Sequence, residues 1–214
     1  MVGDLFMSAG RKVNTLSQHW CTPQKYVEAV REMFVNIDLD PCSNVFSIVN
    51  ANVEYMLPKN DGLSENWNFG TIYVNPPYGA DRIRGTTIKN WLKKCMGANK
   101  KYGSEVLALI PVATNTAHWK YYVFGEAASI CFLYDTRLKF IINGDDDNKG
   151  APMACCMVYW GKNVSKFQSI FLKFGAVVNT TNLFGERIGK EKEQHSLFQE
   201  ERINAAQPPV YSKA

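Results

Sequence analysis

The chain has 214 residues, with 24 Lys+Arg against 20 Asp+Glu, a formal net charge of +4 and a pI near 8.7. A hydrophobic share of 46% excludes a wholly disordered or collagen-like chain, and the length suits one domain with a small appendage. No apolar run approaches the roughly 18 residues of a membrane span, and the first residues mix Asp4, Arg11 and Lys12 with apolar ones and lack a signal-peptide core. The expectation is a soluble, cytoplasmic protein with no membrane partner, whose mild positive charge permits nucleic-acid binding without demanding it.

Along the chain, residues 1–16 read as a flexible arm carrying Arg11 and Lys12. Residues 17–23 open a helix, with Thr22 at the N-cap and Pro23 in the first turn. Tyr26, Val27, Val30, Met33 and Phe34 recur at helical spacing and give that helix one apolar face. Residues 37–40 form a short strand stopped by Pro41, and a second short strand is expected within 53–56. Residues 70–74 (Gly-Thr-Ile-Tyr-Val) read as a buried strand that runs straight into Asn75-Pro76-Pro77-Tyr78. A helix is expected over 86–97, a strand over 105–112, and an aromatic-rich helix over 116–124. Strands over 129–134 and 138–142 follow, then an acidic turn over 143–150 holding Asp145, Asp146 and Asp147. Residues 154–160 read as the last strand, 164–174 as helical, and 185–214 as a charged tail. Strands alternating with helices predict an α/β fold: a mostly parallel sheet with an antiparallel C-terminal hairpin. The main domain is expected over 17–184.

The six cysteines, Cys21, Cys42, Cys95, Cys131, Cys155 and Cys156, sit in apolar surroundings. They include no C-x-x-C pair, and His19, His118 and His195 lie far apart, so neither a disulfide framework nor a metal site is expected. A phosphate-binding loop is also missing, since the nearest match at 185–190 has too few residues between its glycines.

The chemistry concentrates at Asn75-Pro76-Pro77-Tyr78. Neither proline donates to a strand ladder, so the strand ends abruptly there, at the edge of the sheet where α/β proteins bind ligands. The Asn75 side chain and the Pro76 carbonyl can accept hydrogen bonds from one amino group, and Tyr78 offers a flat face beside them. Such a site fits a planar molecule carrying an exocyclic amine.

Asn75-Pro76-Pro77-Tyr78 is similar to the [D/N/S]-P-P-[Y/F/W] signature of amino-methyltransferases that use S-adenosylmethionine. The wider pattern resembles the phage-type DNA N6-adenine methyltransferases (Dam-like). It comprises Trp20 to Pro23 (Trp-x-Thr-Pro), Asp40-Pro41, Asp61-Gly62-Leu63 with Trp67, Ile110-Pro111 with Thr114 and Trp119, and Arg137-Leu138-Lys139-Phe140. The resemblance runs from about Trp20 to Gly161. It implies a Rossmann-like methyltransferase fold, S-adenosylmethionine as methyl donor without a metal, double-stranded DNA as partner, and a phage-infected or bacterial cytoplasm as setting. Residue by residue, it implies that Asn75, Pro76, Pro77 and Tyr78 hold a flipped adenine, with Phe140 on the other side of the base. It places Asp40 near the cofactor's methionine part, Asp61 at the cofactor's adenine amine, and Thr22 and Pro23 over the methionine carboxylate, with Asn75 also on the cofactor.

Two family features are absent: the glycine-rich turn after the first strand, and a clear acidic residue ending the second, for which Glu54 and Asn52 are the candidates. Arg82 and Arg84, in the loop after the tetrapeptide, are candidates for DNA contact; two solvated loop arginines are the alternative. Methylation of RNA or of protein glutamine also remains open, because the same acceptor geometry serves those amines and amides. So does a nucleic-acid-binding module that has lost its cofactor site.

Overall fold

A computed structural model of the chain describes residues 6–8, 11–13, 20–135, 137–142, 151 and 153–180. The boundaries expected near 16 and 185, the acidic turn over 143–150 and the charged tail lie outside these residues. Arg11 and Lys12, expected on a flexible arm, belong to a short antiparallel ladder between β1 (Phe6–Ser8) and β2 (Arg11–Val13).

The first helix, α1 (Gln24–Phe34), starts one residue later than expected, because Pro23 occupies the N-cap without a side-chain cap. Thr22 is not its cap: its hydroxyl lies 2.7 Å from the Tyr73 hydroxyl, buried under the sheet's working edge. The predicted apolar face is buried, from Tyr26 through Phe34. The second helix, α2 (Ile88–Tyr102), runs past Gly97 and stops at Gly103, whose φ of 72° is the left-handed conformation that glycine adopts freely. Gly97 is helical, so the expected helix end there is corrected.

The main sheet has seven strands. Four run parallel and side by side: β5 (Val53–Glu54), β4 (Leu39–Asp40), β6 (Thr71–Val74) and β7 (Glu105–Pro111). Beyond β7 come β10 (Cys155–Trp160), β8 (Ser129–Leu133) and β11 (Gly175–Asn179), each antiparallel to its neighbour. Residues 155–160 are therefore not the last strand; β11 follows the helix α4 (Val164–Phe171) and covers the sheet edge at β8. The expected terminal hairpin is instead an insertion, since β10 lies between β7 and β8.

Every residue of β10 and all but the first of β7 are buried, the signature of strands covered on both faces. On the covering layers α1 packs with α4, while α2 packs with a short helix α3 (Ala117–Trp119) and the π-helical turn Lys120–Phe124 that continues it. The expected strand over 138–142 contributes only β9 (Ile141–Ile142), which pairs not with the main sheet but with β3 (Trp20–Cys21). All six cysteines are free thiols, five of them buried. Among the described residues, no helix is long and apolar enough to cross a membrane.

Candidate active site

The parallel strands deliver Asp40, Glu54 and Asn75 to one edge. Asp40 and Glu54 are register partners at the ends of β4 and β5, and Asn75 follows the last residue of β6. Two neighbouring features are built on this edge: an aromatic cluster beside Asn75 and Tyr78, and a cavity on the side of Pro77.

In the cluster, the Asn75 amide Nδ2 donates to the Trp20 carbonyl at 2.8 Å. Only the amide nitrogen can make that bond, so the carbonyl oxygen Oδ1 is left facing away as an acceptor. The Tyr78 hydroxyl donates to the Leu109 carbonyl of β7 at 3.1 Å. Its ring stands edge-on to both Trp20 (centroids 6.1 Å, 85°) and Phe140 (5.7 Å, 79°). Trp20 and Phe140 stack on each other at 5.0 Å and 19°. The flat face expected at the rim is thus corrected: Tyr78 is only 3% exposed, because its hydroxyl is anchored on β7 and the β3–β9 ladder lays Trp20 over it. The structure gathers Asn75, Tyr78 and Phe140 around Trp20. The sequence pattern contained Trp20 in Trp-x-Thr-Pro but gave it no role.

The cavity, about 160 Å³, is lined among others by Pro41, Ser43, Tyr55, Asp61, Pro77 and Trp91. Its floor is the turn after β4. There Gly62 passes so close to Pro41 that a Cβ would lie 1.8 Å from the Pro41 carbonyl oxygen, which explains the glycine beside Asp61. The segment bearing Asp61 is held from outside: the Lys94 ammonium donates to the carbonyls of Gly62, Leu63 and Glu65, and the Trp67 indole donates to Gly62 at 2.7 Å. Asp61 Oδ1 accepts from the Leu63 N–H and from Arg84, both at 3.0 Å, leaving Oδ2 for another donor. The Ser43 hydroxyl is buried without a partner. Flat walls, a carboxylate with a spare oxygen and an orphaned hydroxyl fit an adenosine carrying an amine donor.

Asp40 lies beneath this turn, accepting the Cys42 N–H at 3.1 Å. Burial pushes its carboxyl up to about 7, the nearby Glu54 adding to the effect and the Cys42 N–H opposing it. Glu54 sits where a second-strand acid is expected, its Oε1 accepting the Ala51 N–H at 3.3 Å. Ser43 and Tyr55 were not singled out from sequence; each lies just past the strand end that bears Asp40 or Glu54.

Other predicted residues fall elsewhere. Thr22 is engaged with Tyr73, and Pro23 lines a different cleft. Arg84 does not face solvent as a free DNA contact: it bridges Asp61 at 3.0 Å and Asp81 at 2.8 Å, because Asp81 caps the loop by accepting the N–H groups of Ile83 and Arg84. Those bonds from Arg84 hold the Asp81 carboxyl below its usual range. Arg82 is exposed on the same loop. Among the described residues, no group of three or more His, Cys, Asp or Glu is placed to hold a metal ion.

A seven-stranded α/β sheet, mostly parallel in its core, is consistent with a methyltransferase-like fold. Residues 11–190 match the family model of DNA N-6-adenine-methyltransferase (Dam). The chain belongs to that family, which makes it an adenine DNA methyltransferase and implies S-adenosylmethionine as methyl donor and DNA as substrate. No curated protein and no solved structure matches the chain.

Proposed function

We propose that the chain methylates the N6 amine of adenine at a particular short sequence in double-stranded DNA, with the base extruded into the Asn75-Pro76-Pro77-Tyr78 seat. The observation that carries this reading is the Trp20 carbonyl on the Asn75 amide, which orients Oδ1 as an acceptor for an amine. Oδ1 and the Pro76 carbonyl accept the two hydrogens of that amine and favour a pyramidal nitrogen whose lone pair is localised. Being neutral, Asn75 orients the amine without taking its proton. Once the nitrogen has bonded the methyl and the sulfur–methyl bond has broken, the methylated nitrogen is acidic and gives that proton to solvent.

The cavity lined by Ser43, Tyr55, Asp61 and Pro77 holds S-adenosylmethionine, with Asp61 on its adenine amine and Asp40 and Glu54 along the strand edge toward its methionine and ribose. When bound, that cofactor supplies a methyl group already activated on a sulfonium. The protein's own work is alignment and exclusion of water. Extruding a base costs a few kcal/mol, and contact with the aromatic cluster, worth about 1–3 kcal/mol per stacked base, offsets much of it.

The test is transfer of labelled methyl to duplexes of varied sequence, followed by nucleoside mass spectrometry. The expected product is N6-methyladenine at one short motif. Asn75→Ala should lower the rate about 100-fold or more while leaving the protein folded. Methyl on cytosine, RNA or protein glutamine, or wild-type turnover by Asn75→Ala, would contradict the proposal. Tyr78→Ala is a poor probe of chemistry, because truncating so buried a ring costs about 3–5 kcal/mol of stability.

A further inference from the structure

We infer that duplex DNA is tracked by a basic cleft beside the aromatic cluster, through Arg137 and Lys139, rather than through Arg84. This rests on the proposed DNA reading and names the surface that serves it. The cleft, about 600 Å³, opens between the start of α1 and the segment leading into β9, and Pro23, Lys25, Asp135, Arg137, Lys139 and Ile141 line it.

Three cations face one carboxylate there, and that carboxylate is already engaged. Asp135 pairs with Lys25 at 2.8 Å and accepts the Tyr26 hydroxyl. Arg137 and Lys139 are exposed and have no ion-pair partner among the described residues, in contrast to Arg84, which two carboxylates hold. Two cations without a carboxylate partner among the described residues thus stand together at this cleft.

The local pattern ties the cleft to the base seat. Leu138 and Phe140 are buried while Arg137 and Lys139 are exposed, so the backbone alternates. Both cations are exposed on one short segment, two residues apart, so they can meet neighbouring phosphates of one strand. The residue next to Lys139 is Phe140, stacked on Trp20 and edge-on to Tyr78. A nucleotide whose base reaches this cluster has its own phosphates beside Arg137 and Lys139. An acidic peptide would satisfy the charges but would leave the adjoining planar cluster without an occupant, so a nucleic-acid backbone is the partner that fits both.

The experiment measures affinity for a fluorescent adenine-containing duplex across a salt series. Arg137→Gln with Lys139→Gln should weaken binding about tenfold or more at about 0.1 M salt and lower the slope of log affinity against log salt by nearly 2, about 0.9 for each phosphate no longer neutralised. The pair Arg137→Lys with Lys139→Arg should restore the slope. Lys162→Gln with Lys166→Gln, which removes the same charge beyond the opposite end of β10, should leave it unchanged. Cofactor affinity by calorimetry should match wild type in every variant, showing that the fold is intact. A double variant that keeps the wild-type slope, while wild type still methylates DNA, overturns the cleft alone. Equal weakening in the Lys162/Lys166 pair also overturns it, since net charge would then explain the effect. A wild-type protein that binds an acidic peptide but no duplex overturns both the cleft and the DNA reading.

Discussion

Asn75 is oriented by a bond to the backbone of a residue 55 positions away, and that distance defines what could be read at this scale. The tetrapeptide was legible because two prolines after a β-branched run leave few alternatives to a strand end. The carbonyl that orients the amide was not, since it depends on β3 pairing with β9. Asp40 carries a testable consequence of burial. The unfolded chain ionises this side chain near 3.8, whereas in the native protein burial raises it to about 7, with Glu54 from β5, Cys42 from the turn and Tyr73 from β6 around it. Between these values the native state holds a proton that the unfolded state has lost. Its contribution to stability therefore declines as pH rises through that window and levels off above it. Asp40→Asn removes the component, and should make the variant more stable relative to wild type at pH 8 than at pH 5 by about 2–4 kcal/mol. Urea midpoints across pH 5–8 check this; parallel profiles for the two proteins would refute it.

Among the elements, the β3–β9 ladder is the one whose position bears most on function. It is two residues long on each side, yet it sets Trp20 over Tyr78 and supplies the carbonyl for Asn75. So short a ladder has no periodicity to detect, and the alternating pattern over 137–140 is the same one a sheet strand would show. The strand β11 escapes sequence reading for a related reason: its residues are mostly half-buried or exposed, and only the β8 edge makes them a strand. The helix α1, by contrast, declares its buried face through spacing alone. If a purine is to sit beside Tyr78, the Trp20–Phe140 stack must part. Trp67, Trp91, Trp119 and Trp160 are all buried and Trp20 alone is half-buried, so its emission reports on this step. Saturating duplex DNA should change the tryptophan fluorescence of wild type, and Trp20→Phe should abolish most of that change. An unchanged spectrum with DNA fully bound would show that the ladder stays closed.

At the scale of the molecule, one tetrapeptide borders two features, the aromatic cluster and the cavity. Asn75 and Tyr78 face the aromatic cluster, while Pro77 lines the cavity with Asp61. The parallel half of the sheet, which creates this arrangement, was legible because buried strands alternate with helices in the sequence; the insertion of β10 between β7 and β8 was not, since local pattern carries no strand order. On the proposed reading, cofactor binding and amine recognition respond to different substitutions. A ligand that binds only the native state stabilises it by about 2.7 kcal/mol at a hundred times its Kd. For a domain of this size that corresponds to a rise of about 5–10 °C in Tm. S-adenosylhomocysteine, which has no methyl to transfer, should therefore raise the Tm of wild type and of Asn75→Ala by similar amounts. Asp61→Ala should lose most of the rise, because its carboxylate is the cavity's charged acceptor and Arg84 would be left facing the cofactor. Equal loss in Asn75→Ala and Asp61→Ala would mean that the two sites are one, and no rise in wild type would mean that the cavity beside Pro77 does not hold the cofactor.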